Sequence, residues 1–123
     1  MADRLEARHV IEASGASLRL RLYVVISSAR SLAAVQERLA DHLAYVRQLE
    51  ERHVLFAAGP QWTDDGQFFE RDGLLIYRAA SVEQARELAD ADPMHAGGAW
   101  TYQLRPWLLN DGSIGASRAP PDN

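Results

Sequence analysis

Few residues in this chain have side chains suited to catalysis. It contains no cysteine and four histidines, which excludes thiol nucleophiles, disulfide scaffolds and cysteine-ligated zinc. No pair of histidines has HxH or HxxxH spacing, and there is neither a phosphate-cradling glycine loop nor a Gly-x-Ser-x-Gly elbow. A dedicated metal site is therefore not expected. What remains is His42 and, much further along, the stretch ADADPMHAGG at residues 89–98, in which Asp92 precedes Pro93 and His95 follows. A carboxylate that holds one nitrogen of an imidazole sets its tautomer and leaves the other nitrogen free to move a proton, as general acid–base catalysis requires. The residue before a proline is pushed out of helical geometry, so Asp92 should stand at a defined place at a helix end. The plainer reading is that His42 is a satisfied boundary residue and Asp-Pro a stop signal, which is the commoner fate of each taken singly. The two readings separate on whether the fold brings His42 and Asp92 together.

The elements that must position them are legible from their periods. Leu18, Leu20, Leu22, Val24 and Ile26 alternate with Arg19, Arg21, Tyr23, Val25 and Ser27, which predicts a half-buried strand. Its aliphatic face is expected to meet the helices. After Ser31, a plausible N-cap, Leu32, Val35, Leu39, Leu43, Val46 and Leu49 recur at helical spacing. On that wheel His42 falls near the middle of the apolar arc, pointing toward the sheet. A second strand is predicted over His53 to Ala58, ending at Gly59-Pro60. A polar connection with the turn signal Asp64-Asp65-Gly66 leads to a third strand, Gly73 to Ala79. Ser81-Val82-Glu83-Gln84 reads as a capping box opening a second helix, which Asp92-Pro93 closes. The fourth strand, Ala99 to Trp107, alternates Trp100, Tyr102 and Leu104 against Thr101, Gln103 and Arg105.

Strand, helix, strand, strand, helix, strand is the order of two split βαβ units. It predicts an α+β, ferredoxin-like fold: a four-stranded antiparallel sheet with both helices on one face. The other sheet face, expected to carry Arg19, Arg21, Tyr23 and Val25, mixes apolar and polar groups and would be too large to leave bare, so a homodimer packed sheet to sheet is expected. Residues 1–17 read as an N-terminal extension whose His9-Val10-Ile11 segment adds an edge strand or frays. Residues 18–109 read as the domain, and 110–123, rich in Gly, Ser, Pro and Asp, as a flexible tail. The net charge of −4 offers no basic field for nucleic acid. With no apolar run of signal-peptide or membrane-spanning length, a cytoplasmic protein with no membrane partner is expected.

The chain also resembles a known family, the YciI-like or YCII-related proteins, over roughly residues 20 to 109. The resemblance is carried by His42 in the first helix, Ala58-Gly59-Pro60, Gly73, Ser81 to Ala85, Asp92-Pro93 and Arg105-Pro106-Trp107. It implies the dimeric α+β barrel version of the fold. It also implies that His42 and Asp92 match the histidine and aspartate suspected to form the family's active-site pair. Family activities are mostly undefined; relatives include dehydrochlorinases acting on chlorinated hydroxyhydroquinones, and similar barrels include muconolactone isomerases. The N-terminal extension, the tail and the long Gln61 to Asp72 connection depart from the family pattern.

Together these point to a small cofactor-independent enzyme of lyase or isomerase type. His42, oriented by Asp92, would move a proton on a small cyclic or aromatic-derived substrate, in elimination (dehydrochlorination) or isomerisation. Gly59, Tyr23, Trp62, Phe68, His95 and Trp100 are the expected substrate-binding residues. Gly59 is preferred as a backbone donor because Pro60 has no N–H. The alternative is a non-catalytic dimeric accessory protein that uses the same pocket to hold a small molecule. A third is a metal-free barrel monooxygenase, whose substrate would supply the electrons for oxygen.

Overall fold

The computed structural model describes residues 3–15 and 18–114. Along the chain run α1 (Ala7–Ala13), β1 (Leu20–Ala29), α2 (Leu32–Glu51), β2 (Leu55–Trp62), β3 (Phe69–Tyr77), α3 (Val82–Ala91), α4 (Pro93–Ala96) and β4 (Trp100–Leu109). The strands form one four-stranded sheet in the order β2-β3-β1-β4, with β3 antiparallel to both β1 and β2. This is the ferredoxin-like antiparallel arrangement that the order of elements predicts.

Two compact units are present: Leu22–Trp107, and the residues on either side of it. In the smaller unit His9, Val10 and Ile11 lie within α1, not in an edge strand. The Ala-, Arg- and Glu-containing run around them favours helix, and the Ser14 N–H closes it on the Val10 and Ile11 carbonyls. Arg19 donates to the Ser14 carbonyl at 2.9 Å. The tail expected to be flexible lies, from residue 115 onward, outside the described residues.

In the larger unit the caps form where the sequence places them. Ser31 accepts the Ala34 N–H at 3.2 Å to open α2. Ser81 accepts the Gln84 N–H at 3.1 Å to open α3, and the Gln84 side chain reaches one residue further back than a strict capping box, to the Ala80 N–H at 2.6 Å. After α2, His53 takes φ 60°, a left-handed conformation that turns the chain into β2. Val35 and Leu49 of α2, Leu88 and Ala89 of α3, and Met94 of α4 pack onto Val25, Leu75 and Tyr77 of the sheet. Leu49 is wholly buried; truncating such a side chain to alanine costs roughly 2–5 kcal/mol.

Three expectations are corrected. The helix-facing side of β1 carries Tyr23, Val25 and Ser27, not the aliphatic set. Val25 and Ser27 are 0 % exposed and Ile26 is 40 % exposed, and Tyr23 and Val25 stand opposite the core residues Tyr77 and Leu75. A period of two presents two faces, and here both hold apolar residues, so alternation alone does not say which is covered. The face proposed for dimerisation, with Tyr23 and Val25, is therefore already occupied by the helices. Second, β2 continues through Gly59-Pro60 to Trp62. It is an edge strand, where the missing N–H of proline breaks no ladder bond, and the register shifts between Pro60 and Trp62. Third, β3 begins at Phe69, so the polar connection contracts to a hairpin loop. There the Thr63 N–H donates to the Phe68 carbonyl at 2.8 Å and Gly66 turns at φ 74°. Among the described residues no helix is long and apolar enough to cross a membrane.

Candidate active site

The stretch that closes α3 builds one half of the site. Asp92, extended at φ −63° and ψ 127°, ends α3 and caps the one-turn helix α4, with Pro93 at its first position. Its Oδ1 accepts the Met94 N–H at 2.9 Å. Proline there sacrifices no hydrogen bond, because the first N–H of a helix has no partner. The aspartate is thus held by its own backbone and by Met94 in a place where it is 0 % exposed.

The other half comes from α2. His42 is 8 % exposed on the buried face of that helix, and its Nδ1 lies 2.9 Å from both Asp92 oxygens. With Nδ1–H donated to the carboxylate, the neutral ring carries its lone pair on Nε2. Among the described residues Nε2 has no hydrogen-bond partner, and the ring lines a cavity of about 450 Å³. Trp100 meets the imidazole edge-on, ring centres 5.0 Å apart. The indole is fixed by its own N–H, which donates to the Arg71 carbonyl at 2.7 Å. It lies so close to Gly73 that a Cβ there would stand 2.8 Å from the ring, so glycine is required by the approach. Removing one member of a buried pair such as His42–Asp92 costs about 3–5 kcal/mol, because the other is left uncompensated.

The field of Asp92 extends into the core. Burial pushes the Tyr77 hydroxyl well above the usual tyrosine range, and the Asp92 charge pushes it further. This buried hydroxyl has no partner among the described residues. Tyr45 is raised for the same two reasons, burial first, and its hydroxyl donates to the Leu88 carbonyl at 2.7 Å.

His42, Gly59 and Trp100 share the cavity, which α2, β2, β3, α4 and β4 enclose. Asp92 stands behind His42. His95 lies on another side of Trp100, ring centres 5.7 Å apart, and against Tyr102 at 4.7 Å; it does not line the cavity. Its Nδ1–H donates to the Ala89 carbonyl at 2.6 Å, so Nε2 accepts the Ser27 hydroxyl at 2.8 Å. Burial pushes the His95 pKa down; the Ala89 carbonyl and the Asp92 charge pull weakly the other way. Tyr23 lies outside the cavity on β1. Trp62 and Phe68, 61 % and 65 % exposed, line a separate surface concavity at the β2–β3 hairpin. Sequence reasoning missed the Met94 N–H, which follows only from the α4 turn, and Asp72, whose place at the cavity depends on β3 starting early. Among the described residues no group of three acidic or histidine side chains is placed to hold a metal ion.

Comparison with solved structures finds 5-chloro-2-hydroxyhydroquinone dehydrochlorinase (TftG) from Burkholderia phenoliruptrix AC1100, in complex with 2,5-dihydroxybenzoquinone. The TM-score is 0.56 at 22 % identity, covering 70 % of this chain and 92 % of that one. At that identity the likeness speaks for the fold. Curated protein sequences give no match. The YCII-related domain matches residues 21–108, a span that includes every side chain of the His42 cavity, and the chain belongs to that family.

Proposed function

We propose that this protein is a small enzyme in which His42, oriented by Asp92, transfers a proton on a cyclic substrate bound in the adjoining cavity. The observation that carries the reading is the asymmetry of His42: Nδ1 is held by a fully buried carboxylate, while the ring lines an open, largely apolar cavity. In an elimination, Nε2 would take a proton from a saturated ring carbon, or from a ring hydroxyl of the keto tautomer in which the chlorine-bearing carbon is saturated; the electrons of that bond would form the new double bond, and the leaving group, such as chloride, would depart with its electron pair. In an isomerisation, the same nitrogen would return the proton at a second carbon. In both, the Asp92 carboxylate offsets the positive charge that the imidazole acquires. The substrate class of TftG supports a flat, oxygenated ring, and Trp100, Phe69 and Pro60 offer such a ring apolar walls.

The test is a turnover panel of chlorinated hydroxyhydroquinones, hydroxyquinones, halogenated phenols and unsaturated lactones, followed by absorbance and chloride release. Consumption of one class by the wild type and not by His42→Asn is expected. Tight binding across the panel with no turnover would instead favour a small-molecule-binding accessory protein.

We also propose a homodimer formed through the sheet face opposite α2 and α3, at its exposed end, where Ile26 is 40 % exposed while Leu22 on the same alternation is 2 % exposed and Val24 stands opposite Ile76. An exposed apolar patch on a sheet is an association surface. Light scattering should report two copies per particle, and Ile26→Asp should shift the equilibrium toward one; a wild-type monomer at micromolar concentration would refute this face as an interface.

A further inference from the structure

We propose that Asp72 is a second ligand-binding group of the His42 cavity. It would accept a hydrogen bond from a hydroxyl or ammonium substituent on an otherwise apolar ligand, and it would disfavour ligands that carry a carboxylate. The inference rests on the cavity being the ligand site. Of the side chains lining the cavity only those of His42 and Asp72 are ionisable; the polar N–H of Trp100 is already committed to the Arg71 carbonyl, and the rest are apolar. His42 comes from the helix wall and Asp72 from the sheet wall, so a ligand between them has two polar points of attachment.

Asp72 has capacity to spare. Its Oδ1 accepts the Ala29 N–H at a long 3.3 Å, and the Arg71 Nε stands 4.0 Å from the same oxygen, beyond hydrogen-bond range. Among the described residues Oδ2 has no partner. A carboxylate offers about four lone-pair positions, so most of them remain for a ligand. The side chain is 45 % exposed, which leaves it hydrated in the empty site and able to exchange water for a ligand donor. Among the described residues no arginine lines this cavity; Asp72 stands on the rim it shares with the neighbouring concavity, which Arg71 lines. An incoming carboxylate would therefore meet Asp72, with Asp92 behind the wall, in apolar surroundings that screen the repulsion poorly.

Four probes that share one body test this: para-cresol, para-methylanisole, para-methylbenzylamine and para-toluate. Each is titrated into the full ¹⁵N-labelled chain while the Trp100 indole N–H resonance is followed. The expected order is the amine and the cresol first, the anisole about 10-fold weaker for want of a donor, and the toluate weakest. Asp72→Ala should abolish the advantage of cresol and amine and improve the toluate. Asp72→Asn, which keeps an oxygen for the Ala29 N–H, should remove the preference for the amine while staying folded. If the probes bind but the order is the same in wild type and both variants, Asp72 is not a binding group and the cavity assignment stands. If no probe moves the Trp100 resonance, the cavity assignment fails and the role of Asp72 with it.

Discussion

Two histidines flank Trp100, and they are employed in opposite ways. His95 has both ring nitrogens occupied, one by the Ala89 carbonyl and one by the Ser27 hydroxyl. From α4 it ties the Ala89 carbonyl of α3 to Ser27 of β1, and it is not among the residues lining the His42 cavity. His42 has one nitrogen held by Asp92 and the other, among the described residues, without a partner beside a cavity. The residue type is the same and both rings are largely inside, His42 buried and His95 half-buried; what differs is the number of nitrogens the protein itself uses. A histidine saturated from both sides is a tie between elements; one saturated from a single side keeps a nitrogen available, as the proposed proton transfer requires.

The largest effect that would test this contrast is on turnover. His42→Asn, whose amide N–H can take the place of Nδ1–H toward Asp92, should fold with a near-native melting temperature and lose about 100-fold or more of the activity on whichever panel compound is consumed. Retained activity would mean that the free nitrogen is not the base. Asp92→Asn keeps an oxygen for the Met94 N–H but removes the charge facing the imidazole. It should lower kcat about 10-fold or more and destabilise the fold by about 1–3 kcal/mol, read from urea denaturation. Gly73→Ala drives a methyl to within 2.8 Å of the Trp100 ring. An overpacked site of this kind costs about 1–3 kcal/mol, and the displaced indole should disturb His42, so KM and stability should worsen together.

His95 should answer differently. His95→Gln should leave kcat within about 2-fold while lowering stability by about 1 kcal/mol, because at least one of its two hydrogen bonds is lost. A collapse of kcat with unchanged stability would reverse the roles of the two rings. The smallest effect is the pH dependence. Burial lowers the folded-state pKa of His95, so the unfolded chain takes up its proton first as pH falls below ~6.5. Stability should therefore be flat above that value and decline as pH drops toward the lower folded-state pKa, where the decline stops. Urea midpoints measured across that window should be flatter in His95→Gln; an identical slope would place the titrating group elsewhere.

Much of the fold was legible because its signals are local. Ser31 and Ser81 cap their helices, the helical spacing through Leu49 marks α2, and Asp92-Pro93 ends α3, each within a turn of chain. The misreadings share a cause. Gly59-Pro60 looked like a strand end but lies on an edge strand, where a proline is harmless. Asp64 to Gly66 marked the hairpin loop correctly, but Phe69 already pairs with Trp62 of β2 across a register shift, an irregular pairing that the polar residues Glu70 to Asp72 conceal from a period-two reading.

By itself the sequence determined the number, order and kind of the βαββαβ elements and the helical face that holds His42, because periodicity and capping depend on residues a few positions apart. Only the tertiary structure decided which face of β1 the helices cover: the more aliphatic face was the natural expectation, yet Val25 and Ser27 of the mixed face are the ones buried, because apolar content alone does not say what packs on a face. It also decided that Asp92 bonds to His42 on another helix while His95, three residues away, bonds elsewhere. Proximity along the chain does not choose between two imidazoles; the α4 turn does, directing the carboxylate to one ring and the backbone carbonyl of Ala89 to the other.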